Sequence, residues 1–272
     1  MPLLFLTKCK LFPPTSLRLF EHSLDFRSGI CHSSTIRCTA TPPETATEDG
    51  THAHLIETPI IPDSQAYFDQ FSQFRQCEVV CELKSSNYWT VEKMRDSIME
   101  QAFSKGPTLV IVNTKKLASK LACACRDLNT EADVFHLSTN MCPAHRKEII
   151  TNRIDKESLE KARRKGKAVV CISTGLIEAG VDVDFDVIIR SVAGLDSCTQ
   201  AAGRCNRHGE AGMGYVYIVG ISSELENVER LAEIRKMQES MAEVLNQSGR
   251  IRKYLIIVCR PRSQSGTIIR YT

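Results

Sequence analysis

From residue 107 onward, short apolar runs alternate with longer stretches whose apolar positions recur every three or four residues. The runs cover 108–112, 134–137, 168–172, 187–189 and 215–219. Between them the spacing predicts helices over 115–128, through a basic region at 143–165, over 197–206, and from about 223 to 245, where Leu225, Val228, Leu231, Ile234, Met241 and Leu245 fall near one face. Strands that are apolar throughout belong in a parallel sheet covered by helices on both faces, so the pattern predicts an α/β fold. Ligands of such sheets bind at the carboxyl ends of the strands. The loops after Val112, Leu137, Ile172 and Ile189, and the helix from Ser197, are therefore the places to look for chemistry.

Ahead of this region, the apolar segments 3–6 and 36–40 flank a possible helix at 15–26, the pattern of a strand–helix–strand unit. Residues 42–65, rich in Pro, Thr, Glu and Asp, read as a linker. The expected organisation is a first piece at 1–41, the linker at 42–65, the α/β lobe at 66–222, a helix at 223–249 and a tail without clear pattern at 250–272.

Composition narrows the class without changing the fold. The 272 residues are 42% hydrophobic and 25% charged, with 35 basic against 32 acidic side chains, which excludes disordered and fibrous readings. A net charge of +3 is too weak a field to imply a nucleic-acid partner without local support. Many of the 12 cysteines sit inside apolar segments such as Val169-Val170-Cys171-Ile172. That usage points to a reducing cytoplasm rather than a disulfide framework, and Cys77, Cys81, Cys123 and Cys125 read as thiols packed in the interior rather than metal ligands. No segment reaches the roughly 18 apolar residues of a membrane span, so no membrane partner is expected.

Three local patterns carry chemistry. In 197–206, Cys198, Ala201, Ala202 and Cys205 would pack, while Gln200, Arg204 and Arg207 face away; two guanidinium groups so placed can bind phosphate oxygens through planar, charge-assisted hydrogen bonds. The segment Ser173 to Asp184 puts hydroxyls and glycines directly after a strand, where Thr174 could meet a phosphate and Asp182 a ribose hydroxyl or an arginine. Asn113-Thr114-Lys115 and Ser138-Thr139-Asn140 repeat small polar groups at strand ends, as helix N-caps or as a grip on a nucleic-acid backbone. The basic run Lys161 to Lys167 reads as a solvated surface or as further phosphate contacts. The sequence holds no G-x-x-x-x-G-K-[ST], no G-x-G-x-x-G after a strand, no H-E-x-x-H and no His-Asp pair.

Taken together, Val110 to Thr114, His136 to Arg146, Ser173 to Asp184, and Gln200-Ala201-Ala202-Gly203-Arg204-Cys205-Asn206-Arg207-His208-Gly209 resemble the second RecA-like lobe of superfamily 2 helicases. More narrowly, they resemble the CRISPR-associated helicase-nuclease of type I systems, over roughly residues 30 to 245. The resemblance implies a RecA-like parallel sheet. It makes Arg204 and Arg207 the arginines that reach the ATP phosphates, with Gln200, Gly180 and Asp182 completing the nucleotide side. Thr114, Ser138, Thr139 and Thr174 would contact single-stranded DNA, and Thr39-Ala40-Thr41 would couple nucleotide state to lobe closure at the end of a first lobe.

Where the first lobe of that family carries its acidic magnesium motif, this chain reads Thr7-Lys8-Cys9-Lys10, and the phosphate loop and His-Asp nuclease motif are absent from the sequence. Phosphoryl transfer needs a phosphate cradle and Mg²⁺ ligands as well as arginines. The expectation is a helicase second lobe with a remnant of the first, using ATP and Mg²⁺ only with a first lobe supplied elsewhere, and acting on single-stranded DNA beside a CRISPR effector complex. The rivals are a catalytically inert nucleic-acid or CRISPR-complex binding module and a decayed gene fragment.

Overall fold

The structure, a computed structural model, describes residues 3–7, 19, 22–24, 26–27, 29–31, 34–38, 77–83, 88–128, 130–178, 181–209 and 212–248. The chain divides into two units, Met1–Gln73 with Arg262–Thr272, and Phe74–Pro261. Thr39-Ala40-Thr41, Gly180, the linker expected at 42–65 and the tail at 250–272 lie outside the described residues.

In the first unit the two apolar segments become β1 (Leu3–Thr7) and β2 (Ser34–Cys38), paired in parallel with Leu3 opposite Ser34 and Thr7 opposite Cys38. A parallel pair needs a crossover between its strands, and helical residues lie between them, among them Leu24, 2% exposed.

The second unit is built on a six-stranded, all-parallel sheet with the order β3-β8-β7-β4-β6-β5. Its strands are β3 (Cys77–Glu82), β4 (Thr108–Val112), β5 (Asp133–Leu137), β6 (Val169–Thr174), β7 (Val187–Ser191) and β8 (Gly214–Val219). The helices are α1 (Val91–Ser104), α2 (Lys115–Arg126), α3 (Pro143–Asn152), α4 (Lys156–Lys165), α5 (Leu195–Ala202) and α6 (Ala232–Ser248). Every residue of β4 and β7 is buried because successive side chains enter different cores. Leu109, Ile111 and Ile188 pack with α3, α4, α5 and Met241 of α6; Val110, Val112 and Ile189 pack with α1 and α2. This is the expected RecA-like parallel sheet with helices on both faces.

Local structure departs from the sequence pattern in four places. β3 and α1, not anticipated from the pattern, form the edge strand beside β8 and a helix on the face of α2. The basic region at 143–165 is two helices, broken where Ile154, fully buried, turns into the core. The helix expected at 197–206 runs only from Leu195 to Ala202. The helix expected from 223 starts instead at Ala232, because Ser222 to Glu226 forms a turn closed on the Ser222 carbonyl, which carries the Glu226 carboxylate inward.

Candidate functional site

All six strands run one way, so the loops after β4, β5, β6, β7 and β8 converge on one end of the sheet. Thr114 ends β4 and caps α2, its Oγ1 accepting the Leu117 N–H at 3.3 Å, and it remains half-exposed. Lys115 Nζ donates to Asn140 Oδ1 at 2.9 Å, tying the β4 loop to the β5 loop. Thr139 is exposed after β5, and Thr174 is half-buried at the end of β6, in register with Val112 of β4. These three threonines therefore line the ends of the adjacent strands β4, β6 and β5, about 4.8 Å apart from strand to strand. Ser138 does not join them: at 1% exposed, its hydroxyl is enclosed rather than offered to a ligand.

The arginine-bearing segment is differently shaped from the helix the pattern predicts. α5 stops at Gly203, and the next residues pair with the strand-like stretch before β7. Arg204 O accepts the Phe185 N–H at 3.0 Å, and Phe185 O accepts the Asn206 N–H at 2.8 Å. The Asp184 carboxylate accepts the N–H groups of Arg207 and His208 at 2.7 and 3.3 Å. Asn206 takes φ +43°, a left-handed conformation that asparagine tolerates, and its Nδ2 donates to Gly212 O at 2.8 Å. Cys198, Ala201, Ala202 and Cys205 are all in the core, as their spacing requires, while Gln200 is half-buried.

The two arginines consequently have different surroundings. Arg204 is buried, and its Nη2 donates to the Glu178 carbonyl at 2.8 Å, holding the 3-10 turn Gly175–Ile177 that follows β6. Arg207 is partly open and pairs with Asp182 at 2.6 Å, Asp182 being 73% exposed. An open ion pair contributes at most about 1 kcal/mol, so a phosphate could displace it with little cost to the fold.

The basic run is mostly exposed, as a solvated surface would be, and only Arg163 leaves it. Arg163 turns inward to Asp186, with Nε at 2.8 and 3.1 Å from the carboxylate oxygens, and its Nη2 donates to Asp184 O at 2.7 Å. Burial pushes the Asp186 carboxyl above the usual range despite Arg163. Gly106, at φ +114°, lies so close that a Cβ there would stand 2.3 Å from Asp186 Oδ2. Arg164 pairs with Glu160 and Lys167 with Asp133.

One group at this end escaped the sequence reading. Arg190, 3% exposed on β7, pairs through Nε with Glu178 Oε1 at 2.9 Å. Its Nη1 donates to Asn113 Oδ1 and Ser191 O, both at 2.9 Å. Asn113 in turn donates its N–H to Glu226 Oε1 at 2.5 Å and its Nδ2 to Ser191 Oγ, Val192 O and Glu226 Oε2. Ser191 Oγ also donates to Glu226. The available signal was a charged residue directly after the apolar run Val187-Ile188-Ile189, since a guanidinium is buried only with partners.

With this geometry in place, residues 104–210 match the family model described as CRISPR-associated nuclease/helicase Cas3, C-terminal. The chain is 32% identical to the Cas3 of Streptococcus thermophilus over 123 residues, 43% of this chain and 12% of that protein. It is 30% identical to the Cas3 of Methanothermobacter thermautotrophicus over 108 residues, 40% of this chain and 12% of the relative. A segment of 43 residues is 58% identical to the Haloferax volcanii Cas3, spanning 16% of this chain and 5% of that one. The matches thus take in a small part of each relative's length. The crystal structure of T. fusca Cas3-AMPPNP shares the fold, with a TM-score of 0.51 at 18% identity over 68% of this chain and 24% of that one. Residues 104–210, from the end of α1 through the arginine segment, are thus similar to the C-terminal domain of the CRISPR-associated nuclease/helicase Cas3.

Proposed function

We propose that this lobe supplies the phosphate-binding arginines and the single-strand grip of an ATP-dependent DNA helicase acting in CRISPR defence. The observation that carries the reading is the placement of the Arg204–Arg207 segment and the Thr114, Thr139 and Thr174 row on loops of one parallel sheet, alongside the Cas3 likeness. T. fusca Cas3 was crystallised with AMPPNP, which supports a nucleotide as the ligand of the arginine side. Arg207 is the residue best placed to meet its phosphates, exchanging Asp182 for them, and Asp182 so released is free to accept from a ribose hydroxyl. Arg204 acts by holding the turn that carries that side, with Gln200 near the end of α5 just ahead of it. Gly180 completes the backbone there, and Thr39-Ala40-Thr41 is the proposed coupling segment.

Among the described residues no three His, Cys, Asp or Glu side chains stand close enough to hold an ion by themselves, and the Mg²⁺ that accompanies ATP takes most of its ligands from phosphates and water. With no phosphate loop in the 272 residues, hydrolysis is assigned to a composite site with a first lobe. Robust ATP turnover by the pure chain would contradict this. A second reading, a catalytically inert module that binds single strands or a CRISPR effector complex, is favoured by one observation, the burial of Arg204 with its Nη2 on the Glu178 carbonyl.

The strand grip is tested by an anisotropy titration with fluorescein-labelled oligo(dT). Binding should weaken steeply with salt and fall further in Thr139→Glu, which sets a carboxylate against the phosphates. Indifference to the oligonucleotide at low salt would overturn the grip.

A further inference from the structure

The buried group around Arg190 lies between the two functional sides. Along one continuous path, Arg204 Nη2 donates to Glu178 O at 2.8 Å, the Glu178 carboxylate pairs with Arg190 Nε at 2.9 Å, and Arg190 Nη1 donates to Asn113 Oδ1 at 2.9 Å. Asn113 is the residue directly before Thr114. We propose that Arg190 is a positioning residue that holds the nucleotide-side turn and the strand-gripping turn in one register. The assignment rests on the function proposed above for those two sides.

The argument is one of buried valence. The guanidinium is a rigid planar fork, and here it meets a carboxylate with one nitrogen and the Asn113 amide and Ser191 carbonyl with another. A lysine offers the charge from a single point and cannot hold both directions at once. Asn113 has equally little freedom: Glu226 takes its backbone N–H and, with Ser191 Oγ and Val192 O, its side-chain amide. Arg190 Nε meets Glu178 as an ion pair without hydrogen-bond geometry, while Nη1 is hydrogen-bonded to Asn113 and Ser191, and a buried network of this kind loses more than one contact when one member moves. Glu178 and the 113–118 segment are thereby linked through Arg190, so disturbing Glu178 should be felt at Thr114.

Hydrogen exchange of the full chain tests this without any ligand. Glu178→Gln removes the ion pair on the β6 side only. The proposal predicts that amides of 113–118, on the other loop, exchange at least about tenfold faster, while those of α4 keep their wild-type rates. Arg190→Lys should quicken 113–118 and 175–178 together, weaken oligo(dT) binding and lower the melting temperature. Acceleration confined to 175–178 in Glu178→Gln, or a uniform acceleration that includes α4, would overturn the proposal. Should Arg190→Lys fail to fold, Glu178→Gln decides. If the wild-type chain binds no oligo(dT), the function proposed above fails, while the exchange result still decides whether Arg190 links the loops.

Discussion

Two arginine–carboxylate pairs of the second unit have similar separations and opposite circumstances. Arg207 meets Asp182 at 2.6 Å in the open, and Arg190 meets Glu178 at 2.9 Å in the interior. In water the attraction is screened and each partner can be exchanged for a solvent molecule or a ligand. In the interior neither charge can be left behind, and Arg190 is held there also by the hydrogen bonds from its Nη1 to Asn113 and Ser191. The first pair is suited to being broken during function; the second fixes where the loops stand.

The contrast is sharpest on removal of one partner. Arg190→Ala strands Glu178 and frees Asn113, and should cost about 3–5 kcal/mol in denaturant unfolding. A cost below about 1 kcal/mol would mean that the interior at Arg190 is wet. Asp184→Ala comes next. It leaves the N–H groups of Arg207 and His208 without their carboxylate, which should cost about 1–3 kcal/mol and loosen the segment that presents Arg207. Asp182→Ala, on the open side, should change stability by less than about 1 kcal/mol. A loss as large as that of Arg190→Ala would erase the distinction.

Thiols extend the comparison. Exposed Cys142 begins α3, and the backbone N–H groups of His145 and Ala144 hold its thiol below the usual range; burial pushes Cys171 up to about 12. Iodoacetamide should label Cys142 readily at neutral pH, with a rate that falls as acid protonates the thiolate, and should reach Cys171 only on unfolding. Labelling of both at similar rates in native buffer would contradict the burial.

The smallest effect concerns His136. Burial, with a contribution from Arg126, holds its imidazole below the usual histidine range, so below about pH 6.5 the unfolded chain binds more protons than the folded one. Stability should therefore decline modestly as pH falls through that region, and His136→Gln should flatten the decline. An unchanged profile would assign the decline to other groups.

What the sequence pattern conveyed follows from these environments. β4, β6 and β7 were legible because two-sided burial writes a continuous apolar run. β3 was not, since its burial alternates and Glu78 and Glu82 dilute the signal. α1 does carry a helical spacing, with Val91, Met94, Ile98, Met99 and Ala102 buried, but the strand before it, β3, writes no apolar run to mark its place in the alternation. At Cys205 the spacing named a residue that is indeed buried and misled about the backbone, because a bridge to Phe185 buries it as well as a helical turn would. Periodicity reports which side chains face inward, not which carbonyls the N–H groups find. The Arg190 network was beyond such a reading, since Asn113 and Glu226 are 113 residues apart and meet only once the sheet has formed.

The central claim is that this lobe contributes arginine chemistry and a strand grip to a composite motor. Its most direct test is single-strand-stimulated ATPase in a mixture of this chain with a related helicase truncated after its first lobe, the truncated partner being shown to fold and to bind ATP. The account predicts that the wild-type chain restores stimulated turnover and that Arg207→Ala, folded to the same stability, lowers it by roughly 10³-fold or more. Equal turnover with Arg207→Ala, or no restoration by the wild-type chain, would contradict it.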